Sequence, residues 1–353
     1  MKTDAIILTN GRLQDIAAKT AHGLIRGTDR FQIRGVIDPP TCGRDAGEVL
    51  DGKFRDIPIF DSLEKALDTI GQVKYCIIGI ATKGGILPEE MKPTIMGCLE
   101  KGISIVNGLH EFLSAKPEMV QLSEQYGTEL LDIRKPKSRS ELHFWSGEIY
   151  SVKSPIVAVL GMDCALGKRT TTRMIIEACA AHQLNAQMIY TGQTGWMQGG
   201  KYGFIFDSTL NDFIPGELEH AIVTCWKETQ AEVILLEGQS GLRNPSGPCG
   251  GEFLVSGNAR YTILVHDPKR EYYSHHININ KIPDVSDEID LISRYGSEVI
   301  ALVLNTANCS EEEAHRFQKQ YADELQIPVL LPLYEGVNEI IPIIRQLIST
   351  DKK

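Results

Sequence analysis

Residues 161–172, GMDCALGKRTTT, decide the fold of this chain. They follow Ile156-Val-Ala-Val-Leu160, a continuous apolar run of the kind a buried parallel strand carries. They lead into a helical pattern predicted over 171–182. A buried strand, a glycine-bearing turn and a helix make a phosphate-binding loop. Its backbone N–H groups face phosphate oxygens at the helix N-terminus. Gly161 and Gly167 let the backbone turn and approach without a Cβ, and Lys168 places a point charge on the terminal phosphate.

The loop departs from the common GxxxxGK[ST] pattern in two ways. Five residues, Met162, Asp163, Cys164, Ala165 and Leu166, separate the two glycines, and Arg169 stands between Lys168 and Thr170. The longer spacing is similar to the GTDTxVGKT form of dethiobiotin synthetase and the cobyrinate amidation enzymes. Arg169 displaces the hydroxyl that ordinarily holds magnesium, leaving Thr170 or Thr171 to compensate. Cys164 is expected to pack rather than react.

Working outward, the second half reads as a wound α/β domain. Strands are predicted over 156–160, 186–190, 233–236, 261–265, 299–304 and 329–331. Helices are predicted over 171–182, 216–229, 284–295, 311–324 and 337–350. The strand over 233–236 ends in Glu237, where a P-loop domain holds magnesium or its water shell. The Gly- and Pro-rich stretch after it forms an irregular loop carrying Arg243, a fork for phosphate or carboxylate or else a surface residue. Tyr190-Thr191-Gly192-Gln193 falls on the same sheet edge, with Gln193 a candidate for the cofactor. Lys201 adds a cation, and Asp207 or Asp212 is either the second metal-side carboxylate or a solvated loop acid. Asn305 ends another strand, as a nucleobase reader or a plain turn residue. His266 and Asp267 open the densest cluster of titratable groups, with Tyr272, Tyr273, His275 and His276 after them. His266 is the candidate general base.

The first half alternates strands (5–8, 33–37, 75–79, 104–106, 129–132) with helices (14–26, 62–70, 89–101, 117–126). That spacing predicts a parallel sheet covered on both faces, a Rossmann-like layout. After the first strand, however, TNGRLQDIAAKT holds one glycine where a dinucleotide fingerprint needs three. NAD is therefore not expected. Asp38 either meets a ribose or simply ends its strand, and residues 81–85 form a ligand loop or a plain turn. The basic RKPKSRSE stretch marks the boundary, giving domains at 1–145 and 146–353.

Bulk properties bound the function. The chain has 353 residues, 42% apolar, enough for two cores. A net charge of −10 argues against nucleic acid as the main partner. No stretch approaches a membrane span, and the N-terminal apolar run is too short for a signal-peptide core. Eight cysteines lie scattered with no CxxC pair, so they are read as reduced thiols. A cytoplasmic homo-oligomer acting on a small molecule is the expectation.

The loop GMDCALGKRTTT, the TGQTGW segment, LLEGQSGL and the HDP strand end together resemble the DgcN-type D-glutamate N-acetyltransferase family. That family was long a domain of unknown function with a Rossmann-like N-terminal half and a P-loop C-terminal half. The resemblance covers nearly the whole chain. It implies transfer of an acetyl group from acetyl-CoA to an acidic amino acid, D-glutamate in the characterised branch. The loop would then cradle the diphosphate of CoA without hydrolysing it. Arg243 and Lys201 are candidates for the substrate carboxylates, and His266 or Asp267 for the base. Two other readings stand beside it. One is an ATP- and magnesium-dependent kinase or carboxylate–amine ligase, with Thr170 and Glu237 at the metal. The other is a nucleotide sensor without catalysis.

Overall fold

A computed structural model describes residues 2–274 and 278–351, and His275 and His276 lie outside that range. The chain forms two compact units, Met1–Pro136 with Gln193–Gly200, and Lys137–Gly192 with Lys201–Lys353.

The first unit is built on six strands: β1 (Thr3–Leu8), β2 (Phe31–Ile37), β3 (Ile59–Phe60), β4 (Tyr75–Ile78), β5 (Ser104–Asn107) and β6 (Leu130–Asp132). They lie in the order β3-β2-β1-β4-β5-β6, every pair parallel. This is the doubly wound Rossmann order. Helices α1 (Lys19–Arg26), α2 (Ala46–Asp51), α3 (Leu63–Ile70), α4 (Lys92–Glu100) and α5 (Pro117–Tyr126) connect them. The burial of β1 shows why the sheet is covered twice. Ile6 and Leu8 belong to one apolar cluster and Ala5 and Ile7 to another, because successive side chains leave a strand on opposite faces.

Asp38, just past β2, accepts from Thr9 Oγ1, Gly11 N, Leu13 N and Thr41 Oγ1, all within 3.0 Å. Three of these donors meet Oδ1 and the fourth meets Oδ2. Asp38 therefore clamps the loop after β1 rather than offering itself to a ribose. Residues 81–85 close on themselves, with Gly85 N donating to Thr82 O and Thr82 Oγ1 to Ile86 O.

The second unit has seven strands: β7 (Ile156–Gly161), β8 (Ala186–Tyr190), β9 (Tyr202–Gly203), β10 (Val233–Glu237), β11 (Tyr261–His266), β12 (Glu298–Leu304) and β13 (Val329–Leu330). Their order is β13-β12-β11-β7-β10-β8-β9, again all parallel. Helix α6 (Lys168–Ala181) follows β7. A short helix, α7 (Gln193–Met197), follows β8 and packs with the first unit, where Met197 is fully buried. Then come α8 (Ile214–Thr229), α9 (Gly251–Val255), α10 (Val285–Arg294), α11 (Glu311–Leu325) and α12 (Ile340–Asp351). Strand β7 is apolar and buried throughout, and within the sheet it runs between β10 and β11. The tips of these three strands therefore share one edge. Glu237 pairs in register with Val159, and Val265 with Gly161.

The sequence puts the domain boundary at 145, but residues 137–145 pack with the second unit. Buried Glu217 of α8 accepts from Lys137 Nζ at 2.7 Å and from the backbone N–H of His143 at 3.0 Å. A buried carboxylate needs such donors, and residues 137–143 supply them. No helix among the described residues is long and apolar enough to cross a membrane.

Candidate functional site

Strand β7 ends on Gly161, the chain turns through residues 162–167, and α6 begins at Lys168. Gly167 caps the helix at φ +95°, a conformation costly for any residue with a Cβ. Lys168 folds back over the loop and is 7% exposed. Its Nζ donates to the carbonyls of Asp163 at 2.6 Å and Ser240 at 2.7 Å. Burial lowers its pKa to about 8. Ala165 and Ser240, one in each of these facing loops, both hold positive φ, at 55° and 40°. Strained backbone of this kind persists where the surroundings enforce it, and it concentrates at binding sites.

Asp163 is the anchor of the loop and is fully buried. Its carboxylate accepts from Cys164 N, Asn244 Nδ2 and Ser274 N, and pairs with Arg270 Nη1 at 3.0 Å. The same Arg270 nitrogen donates to the Cys164 carbonyl at 2.7 Å. Cys164 is half-buried, with its Sγ 3.5 Å from Ser240 Oγ. Leu166 is buried, and its carbonyl accepts from Asn305 Nδ2 at 3.0 Å. Asn305 thus buttresses the phosphate loop, while its Oδ1 closes a turn onto Ala307 N.

On α6, Arg169 Nη1 lies 3.7 Å from Glu237 Oε1. Glu237 is buried at the tip of β10, and that burial raises its pKa. Its Oε2 accepts from Thr191 N at 3.1 Å, and its own carbonyl accepts from Thr191 Oγ1 at 2.6 Å. The TGQ segment after β8 therefore meets the β10 tip through Thr191. Gln193, two residues further, belongs to the first unit, where its Oε1 accepts from Arg134 Nη2 at 2.7 Å. Thr170 is exposed and Thr171 buried, and Thr172 Oγ1 donates to the Lys168 carbonyl.

Arg243, in the loop after β10, donates from Nε to buried Glu288 of α10 at 2.6 Å. Its Nη2 is buried with no hydrogen-bond partner among the described residues. His266 is buried at the tip of β11, with Nε2 3.1 Å from Tyr321 Oη and Nδ1 without a partner among the described residues. Burial, with the nearby charge of Arg270, lowers its pKa to about 4. Asp267 is buried and accepts from Lys269 N at 3.0 Å. Lys201 pairs with Glu228 on the surface at 2.7 Å, and Asp207 and Asp212 are exposed. Among the described residues, no group of three or more His, Cys, Asp or Glu is arranged to hold a metal.

Residues 143–341 match a domain of unknown function described as the DUF1611 C-terminal P-loop domain, and residues 39–136 match the Rossmann-like DUF1611 N-terminal domain. The chain belongs to the DUF1611 family. A protein of Pseudoalteromonas sp named D-glutamate N-acetyltransferase is 27% identical to it over 274 residues, 76% of this chain and 80% of that protein. A second of the same name, from Tritonibacter scottomollicae, is 25% identical over 332 residues, 92% and 93% of the two chains. The crystal structure of a DUF1611 family protein from Anabaena variabilis superposes with a TM-score of 0.89 at 26% identity, covering 98% of this chain and 100% of that one.

In this DUF1611 protein several residues of the site escape a reading of the sequence. Arg270, Asn244 and Ser274 hold Asp163 from 107, 81 and 111 residues away. Only the HDPKR run gave a signal, since a cation three residues past a strand-terminal acid lies near the sheet edge.

Proposed function

We propose that this DUF1611 protein transfers the acetyl group of acetyl-CoA to the amine of D-glutamate, with the phosphate loop holding the phosphates of CoA. The observation that carries the reading is the likeness, over 92% of the chain, to a relative named D-glutamate N-acetyltransferase. The site supports it through adjacent cations, Lys168 and Arg169, at the start of α6, where an anionic diphosphate is favoured by the helix dipole as well.

In the reaction the amine nitrogen attacks the thioester carbonyl carbon and the carbon–sulfur bond breaks. CoA leaves as the thiolate, and the proton that the amine gives up passes through the base to that sulfur. Arg243, held by Glu288 at Nε, presents its remaining guanidinium donors to a substrate carboxylate. His266, uncharged at neutral pH, takes the proton once attack has made the ammonium acidic. Asp267 holds the turn beside it.

The purified protein incubated with acetyl-CoA and D- or L-glutamate is expected to release free thiol with the D-isomer. No thiol release with any amino acid overturns the proposal. The competing kinase or ligase reading draws support from the buried acid Glu237 beside the loop. Substrate-dependent phosphate release from ATP would favour it.

A further inference from the structure

P-loop proteins ordinarily work with magnesium. The Ser or Thr directly after the lysine ligates the ion, and an acid at a neighbouring strand tip holds it or its waters. The residues of this chain do not fit that ion. The position after Lys168 is Arg169, and its guanidinium faces Glu237, the carboxylate that would otherwise face the metal. Thr170 is exposed, a further ~100° around the helix. The hydroxyl of Thr172, one turn on from Lys168, is bound to the Lys168 carbonyl. The second oxygen of Glu237 is engaged by the Thr191 N–H. A divalent cation placed here would meet a fixed positive charge and a carboxylate already neutralised.

We propose that Arg169, seated on Glu237, takes the place of magnesium in this phosphate loop, so that the chain binds a diphosphate-bearing nucleotide without a divalent ion. The inference rests on the reading in which the loop holds the phosphates of its ligand. A planar guanidinium matches two phosphate oxygens at once, and it stays on the protein when the ligand leaves. Glu237 has two consequences here. Its charge draws the guanidinium towards the tip of β10, and as a buried carboxylate it holds Arg169 as its counter-ion. Lys168, one residue earlier, supplies the second cation. Such a pair neutralises a diphosphate that is to be gripped. It lacks the mobile dication that bridges β- and γ-oxygens during phosphoryl transfer.

Calorimetric titration with acetyl-CoA and, separately, with ATP, each in EDTA and in magnesium, tests this on the full-length protein. Acetyl-CoA affinity equal in EDTA and magnesium is the expected result. Acetyl-CoA binding only with magnesium overturns the inference and leaves the cofactor reading standing. ATP binding without magnesium, in the absence of acetyl-CoA binding, sustains the inference and overturns the cofactor reading. ATP binding only with magnesium, with no acetyl-CoA binding, overturns both, as does no binding of either. Arg169→Thr restores a GKT sequence. It should lose about tenfold or more of its affinity in EDTA and regain it with magnesium, whereas Arg169→Lys should remain indifferent to the metal. Lack of any difference between Arg169→Thr and the native chain also overturns the inference.

Discussion

Arg270 stands 3.0 Å from the buried carboxylate of Asp163 and in the same stroke holds the carbonyl of Cys164. One guanidinium thus fixes both the side chain and the backbone of the phosphate loop. Removing it leaves a fully buried carboxylate without its cation. Arg270→Ala should destabilise the protein by about 3–5 kcal/mol in chemical denaturation, the range for an orphaned partner of a buried pair. Asp163→Asn, which keeps the shape of the side chain, should cost less. The double variant should show a coupling well above the scatter of independent sites.

Ligand binding should take up protons in mildly alkaline buffer. The free Lys168 has a pKa of about 8, lowered from 10.5 by burial, so above pH 8 it is mostly neutral before phosphate arrives. An anionic ligand favours the charged form and draws a proton in. Calorimetry near pH 8.5 in buffers of different ionisation heat should report net uptake, which Lys168→Ala abolishes together with most of the affinity. The sign for stability is the reverse. The unfolded chain binds more protons than the native one between pH 8 and 10.5, so this group raises stability as pH rises through that window.

His266 makes a corresponding prediction on the acid side. Burial holds it at about 4 against an ordinary 6.5. Between these values the unfolded chain is the better proton binder, so stability falls as pH drops from 6.5 to 4. The loss from this residue is about 3 kcal/mol in full. His266→Gln should flatten that part of the stability profile, whatever its effect on turnover.

Two glycines of the loop after β10 separate close approach from mere flexibility. A Cβ on Gly241 would stand 2.8 Å from the carbonyl oxygens of both Gly161 and Met162, which are backbone and cannot swing aside. A Cβ on Gly247 would meet only Ser240 Oγ, at 3.9 Å. Gly241→Ala should cost about 1–3 kcal/mol and weaken nucleotide binding by pushing the two loops apart. Gly247→Ala should leave melting temperature and affinity nearly unchanged.

What could be read from the sequence was what is local. The phosphate loop is a contiguous string, and β7 and α6 on either side announce it by apolar run and helical period. Alternating strands and helices gave both parallel sheets for the same reason. Elements too short for a period escaped. The two-residue strands β3 and β9 and the five-residue helices α7 and α9 carry no recognisable pattern. The partners within the site escaped because topology, not spacing, brings them together. Asn305 reads as a nucleobase reader or a turn residue, and its Oδ1 does close a turn onto Ala307 N, but spacing gives no hint that its amide also holds a loop carbonyl 139 residues away. Arg243 reads as a fork for phosphate or carboxylate or else a surface residue, and neither reading shows that Glu288 grips its Nε from 45 residues on. Both contacts follow from the order β12-β11-β7-β10, which no single stretch of chain records.

The placement of Gln193–Gly200 bears on how this protein can be taken apart. That segment counts with the first unit while its neighbours on both sides count with the second, so the polypeptide passes between the units three times. Gln198 Nε2 donates to the carbonyls of Gly23 and Gly27, and Thr28 Oγ1 to that of Met197. Cleavage after residue 136 alone would leave two of the three passages intact. A fragment of residues 1–136 would lack the short helix that fills its own interior. The halves are stitched rather than strung, so neither corresponds to a single uninterrupted stretch of chain.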